Sequence, residues 1–174
     1  MSSQTIAALR TFLLAVLPSG TEVVLGQDNR VPEPAADDFC VMTITLRERL
    51  ATNIVMASDG GPAGPGLRMA MAPTRVTVQV DVHGPSSSDN AQIISTLFRD
   101  SFGADIFAAT GLNVAPLYCG DPRQLPFING EQQVEMRWSI DAVMQANPVV
   151  TTGQDFAGAL QVGLLQVDAT YPPA

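Results

Sequence analysis

Val76-Thr77-Val78-Gln79-Val80-Asp81-Val82-His83 is the stretch that decides the fold. Its four valines alternate with four polar residues, and because successive strand side chains point to opposite faces, this is a strand with one packed face. The other face is wet or covered by a subunit. Strands of parallel sheets are buried on both sides and read as unbroken apolar runs, so clean alternation of this kind fits an antiparallel sheet.

Upstream, residues 58–66 hold four glycines and two prolines, a composition suited to turn geometry and not to the interior of a helix or strand. The stretch therefore reads as the tip of a hairpin, with 39–56 as the outgoing strand and its extension. In that strand Cys40, Met42, Ile44 and Leu46 alternate on what the pattern predicts is a buried face. Met56, Met69 and Met71 flank the tip, where methionine serves equally as core filling or as an adaptable contact surface. Downstream, Gly84-Pro85 ends the valine strand and Ser86 to Asp89 offer N-caps. Ile93, Ile94, Leu97, Phe98 and Phe102 then recur at helical steps up to Gly103, predicting one helix lying across the valine face.

At the N-terminus, Ile6, Leu9, Leu13, Val16 and Leu17 form the apolar stripe of an amphipathic helix that stops at Pro18 and Gly20, and Glu22 to Leu25 follows as a short strand. Leu112 to Tyr118 is a further strand. Val134, Met136, Trp138 and Ile140 alternate with Glu135, Arg137, Ser139 and Asp141 in another, with Trp138 as a core anchor. In the tail, Leu165, Val167, Ala169 and Tyr171 favour a strand over about 164–171, in competition with a helical reading through Phe156, Leu160 and Leu164. The expected fold is α+β: an antiparallel or mixed sheet with a long hairpin, flanked by two main helices. A single domain over 1–174 matches the usual domain size, with an extended arm at about 26–37 and a hairpin tip at about 58–66.

The formal charge is −8 with a pI near 4.3, and all nine cations are arginine. Gripping nucleic acid through its phosphates requires a basic face, so this balance argues against a DNA-binding surface. No apolar run approaches the roughly 20 residues of a membrane span, and the start of the chain reads as cytosolic and unprocessed. Two distant cysteines and one histidine offer no metal-ligand spacing, and Cys40 reads as a reduced core thiol. No cofactor is expected, since the glycine-rich 60–66 lacks the lysine and Ser/Thr of a phosphate loop.

Two groups invite a catalytic reading. Asp81, His83, Asp89 and Asp100 place a lone histidine near carboxylates, as a general base or metal site requires, but no nucleophile motif accompanies them. Asp37-Asp38 resembles half of a carboxylate pair but lacks a calcium-loop pattern. Polar groups on the outer face of a sheet account for both, and no catalytic residue is assigned.

The remaining feature is Leu25-Gly26-Gln27-Asp28-Asn29-Arg30-Val31-Pro32-Glu33-Pro34, which carries amides, a cation and two prolines where a turn would suffice. Proline fixes φ and pushes the residue before it toward extended backbone, so the stretch reads as a stiff, exposed arm. Its contact residues are Gln27, Asp28, Asn29, Arg30, Pro32 and Pro34. This arm, followed by Asp38-Phe39-Cys40-Val41-Met42-Thr43 and Arg47-Glu48-Arg49-Leu50-Ala51-Thr52-Asn53, resembles the N-terminal half of tailed-bacteriophage neck or tail-terminator proteins. Val78 to Gly84, the helix from Asp89 to Phe102 and the strand from Glu131 to Ile140 occur in the same order in that family.

The resemblance implies a structural virion protein that caps the tail and joins it to the head-completion proteins as a homohexameric ring around the DNA channel. Its implied partners are further copies of itself, the tail tube with sheath proteins as an additional partner, and head-completion or connector proteins, with DNA passing through unbound and no membrane involved. Its implied place is the head-tail junction of a virion assembled in the bacterial cytoplasm. Rival readings are a head-completion adaptor, a tail-tube component and, from another class, a small hydrolase using Asp81 and His83.

Overall fold

A computed structural model describes residues 2–26, 34–61, 64–128 and 134–157, together with 132 and 162–163. Helix α1 (Ser2–Val16) leads into strand β1 (Glu22–Leu25), and β2 (Phe39–Arg49), β3 (Ile54–Ser58), β4 (Leu67–Met71) and β5 (Thr74–His83) follow. Helices α2 (Ser87–Phe98) and α3 (Ser101–Ala109) come next. The chain continues through β6 (Val114–Cys119), β7 (Arg123–Gln124), β8 (Phe127–Ile128), β9 (Val134–Glu135), β10 (Arg137–Ala146) and β11 (Val149–Gly153). The main sheet runs β1-β2-β5-β10-β6 with β7 beside β10, antiparallel except for the parallel pair β1 and β2. The architecture is therefore α+β with a mixed sheet.

The valine stretch forms β5 as its alternation requires. Val76, Val78, Val80 and Val82 are buried against Cys40, Met42 and Ile44 of β2 on one side, and against Trp138, Ile140, Ala142 and Met144 of β10 on the other. The helices cover this face. Phe12 of α1, Phe98 of α2 and Phe107 of α3 meet with ring centroids 5.3 to 5.8 Å apart, two of the three pairs edge-to-face as ring quadrupoles favour.

Four details depart from the sequence-based expectations. The helix expected to run through Phe102 is two helices, because Asp100 has extended backbone and its carboxylate accepts the Phe102 N–H at 2.9 Å, an N-cap that starts α3 afresh. Gly103 permits the tight join, since a Cβ there would lie 2.4 Å from the Leu97 carbonyl. The new helix turns Phe102 outward to 49% exposure.

Leu46 does not share the buried face of Cys40, Met42 and Ile44, because a bulge between Ile44 and Leu46 adds one residue to β2 and shifts its phase. Leu46 is 50% exposed as a result.

The outgoing strand 39–56 is likewise two strands. β3, β4 and β11 prolong β2, β5 and β10 into a separate sheet of order β11-β4-β3, called here the wing. Pro73 and Pro148 stand at the break on neighbouring strands, where they accept from Leu50 N (2.9 Å) and Ala72 N (3.0 Å) but can donate nothing onward. β11 follows Pro148 directly and had no counterpart in the sequence reading.

β3 and β4 pair antiparallel, with Ser58 opposite Leu67. Val134 and Met136, expected to pack with Trp138, are exposed, because β9 pairs with β8 in a small sheet of its own. Trp138 packs half-buried against the core. The strand expected at about 164–171 lies outside the described residues.

Candidate interaction surfaces

The second face of the main sheet is polar. At its centre the Arg137 guanidinium donates to Asp81 Oδ1 at 2.9 Å, and Gln79 Nε2 donates to both oxygens of the same carboxylate at 3.0 and 2.8 Å. Toward one side Arg123 pairs with Asp141 at 2.7 Å, and toward the other Arg75 pairs with Glu48. His83 stacks on Phe39, 4.6 Å between ring centroids and with the ring planes nearly parallel, and its Nδ1 lies 4.0 Å from the Glu135 carboxylate.

This arrangement does not present Asp81 and His83 as a catalytic pair. The Asp81 carboxylate is held by Arg137 and Gln79, and His83 is packed flat against an aromatic ring. Asp100 caps α3, and exposed Asp89 sits in the first turn of α2, on the helix-covered side of the sheet. The group read together in the sequence is dispersed. Among the described residues no cluster of three or more His, Cys, Asp or Glu could hold a metal ion. Cys40 and Cys119 are both free and buried, and burial pushes each thiol up to about 12.

Burial, and then the charge of Arg137, lower the His83 pKa below its usual 6.5, with Asp81 and Glu135 pulling weakly the other way. A depressed folded-state value means that the unfolded chain binds the extra proton first. The contribution of neutral His83 to stability is therefore full above about pH 6.5 and is lost as pH falls through the lower folded value. Thermal melts between pH 7.5 and 5.5 should show wild type losing more of its transition temperature than His83→Phe, which keeps a flat ring beside Phe39 and removes the titration. Parallel curves for the two proteins would refute this.

The arm has a topological cause that composition does not supply. β1 and β2 run parallel, and parallel neighbours cannot be joined by a tight turn, so the 26–38 connection must cross over. Both roots are fastened. Gly26 N donates to Met42 O at 2.8 Å, and a side chain at Gly26 would collide with Thr43. At the other root Glu22 Oε1 accepts from Ala35 N and Ala36 N, each at 3.1 Å. Sequence reading missed Glu22, whose place opposite Phe39 is set by the parallel register and leaves no signal in the sequence. Gln27, Asp28, Asn29, Arg30 and Pro32 lie outside the described residues. Pro34 is half-buried and lines two adjoining hollows.

The larger hollow, about 470 Å³, is a groove at the start of β2 and β10, walled by Pro34, Phe39, Pro85 and Met136 and rimmed by Asp37 and Glu135. The tight turn after β5 shapes its floor. Gly84 has φ +100°, and a Cβ there would lie 2.2 Å from Asp37 O, so glycine alone fits. Asp38 Oδ1 accepts Ser86 N at 3.0 Å across the same turn, a structural use for that carboxylate. At the opposite end of the same strands stands the wing, whose Ile54, Val55, Met56, Leu67, Val149 and Val150 are 41–53% exposed. Met56 faces Met69 across the wing, outside the core cluster.

The described residues form a packed helix-on-sheet body with an exposed apolar wing and a cross-braced polar face. The chain belongs to the phage neck terminator protein family, whose model matches residues 3–168. It is a structural protein of the bacteriophage tail end, a tail terminator. Among solved structures it is similar to the sheath/tube terminator of PVC, an extracellular contractile injection system, in its extended state, at 14% identity and a TM-score of 0.47. That match covers 100% of this chain and 65% of the other, so the chain spans about two thirds of that protein's length. Among curated proteins none matches.

Proposed function

We propose that this chain closes the head-proximal end of the tail as a homohexameric ring around the DNA channel, contacting tube and sheath proteins on one side and head-completion or connector proteins on the other. It acts in the virion at the head-tail junction after assembly in the host cytoplasm, and it is not an enzyme. The match of the terminator family over 3–168 carries this reading. Supporting it, the net charge of −8 lets DNA pass without being held, and exposed apolar strands on a separate sheet suit subunit contact.

Gln27, Asp28, Asn29, Arg30, Pro32 and Pro34 form a subunit or partner contact in this proposal. The fastened roots at Gly26 and Ala35 hold such a contact at the β1 edge. Mass photometry and negative-stain microscopy, with and without isolated tail tubes, test it. Rings in solution or caps on one end of the tubes are expected. A strict monomer at high concentration that leaves tubes uncapped overturns it. Arg30→Glu should weaken assembly while stability stays within about 0.5 kcal/mol of wild type, as expected of a residue that serves the contact and not the core.

A further inference from the structure

The wing and the groove are different surfaces at opposite ends of β2, β5 and β10. Ten residues of strand at about 3.3 Å each separate them by roughly 30 Å, so one copy cannot bring its own wing to its own groove. Their chemistry is complementary. Arg68, exposed, is the one charged residue among the three wing strands, and it shares its face with uncharged Val55, Ala57, Val150 and Thr152. The groove offers apolar walls at Phe39, Pro85 and Met136 and carboxylates at its rim, of which Asp37 is exposed.

We infer that the wing of one copy of this chain docks in the groove of a second copy through the face that carries Arg68, with Val55 and Val150 against Phe39, Pro85 and Met136 and Arg68 beside Asp37. The inference deepens the ring reading and rests on it. A contact between two unlike surfaces is head-to-tail, and head-to-tail contacts close into a ring when the rotation between copies allows. The docked face of the wing also withdraws Val55 and Val150 from water. The free backbone edges of β3 and β11, which would otherwise invite unspecific strand pairing, come under the cover of the neighbour.

Site-directed crosslinking of the full chain tests this, on rings formed in solution or on isolated tail tubes. Arg68→Cys and Asp37→Cys proteins mixed and mildly oxidised should give covalent dimers that neither gives alone, and the double variant should give a ladder. Native Cys40 and Cys119 are buried and stay out of the reaction. Arg68→Glu should weaken assembly about tenfold, as reversing a rim charge can, and Arg68→Glu with Asp37→Arg should recover it. Assembly without 68-to-37 crosslinks, or crosslinks from Arg68→Cys alone, overturns the docking and leaves the ring standing. Wild-type protein that neither assembles nor caps tubes overturns both.

Discussion

Phe12→Ala should cost about 3–5 kcal/mol of folding stability, the usual loss when a fully buried phenylalanine is emptied out of a core. At this chain length each kcal/mol moves the transition by about 2–4 °C, so the melting temperature should fall by roughly 10 °C. Phe12 has no exposed surface, and its ring lies 5.3 Å from Phe98 and 5.8 Å from Phe107. Its ring ties α1 to both other helices. Removing it leaves a cavity bounded by two large rings that are themselves braced against each other and cannot collapse into the space. Phe102→Ala is the internal control: the same chemistry at a half-exposed ring, with little change expected. Differential scanning calorimetry on the two variants checks the contrast, and equal losses would mean that Phe102 is covered in the protein as it exists in solution.

That contrast shows how far the sequence could be read. The period that places Phe98 in the core also places Phe102 there, four residues on, and it fails because Asp100 caps a new helix in between. The valine strand was legible because burial and alternation agree along its whole length. Leu46 was not, since one residue inserted by a bulge inverts the phase of everything after it and leaves no mark in composition.

The prolines at 73 and 148 were visible in the sequence, but their effect depends on standing at the same level of adjacent strands, and that register is a property of the sheet. The arm was read from its prolines and amides alone. Its length follows from the parallel pairing of β1 with β2, which no local pattern encodes. Asp81 drew attention beside His83, its neighbour in sequence. Its partner Arg137 is 56 residues away and reaches it across the ladder between β5 and β10.

That partnership carries the second large effect. The Arg137 and Asp81 side chains are 22% and 10% exposed, so the pair is mostly withdrawn from water. Arg137→Met should cost about 3 kcal/mol, because it strands a carboxylate whose desolvation Arg137 had offset, with Gln79 alone still donating to it among the hydrogen bonds described above. Adding Asp81→Leu should recover most of that loss, since an apolar pair of similar volume carries no desolvation cost, and recovery beyond wild type has precedent in other buried pairs. The double-mutant cycle, followed by urea unfolding, isolates the coupling between the two residues. Single-variant losses that simply add would mean the two groups act independently. Recovery of stability then gives the polar face its own assay: a double variant that melts like wild type but assembles poorly would place the charges of β5 and β10 against a partner, whereas normal assembly would confine their role to fixing how the two strands pack.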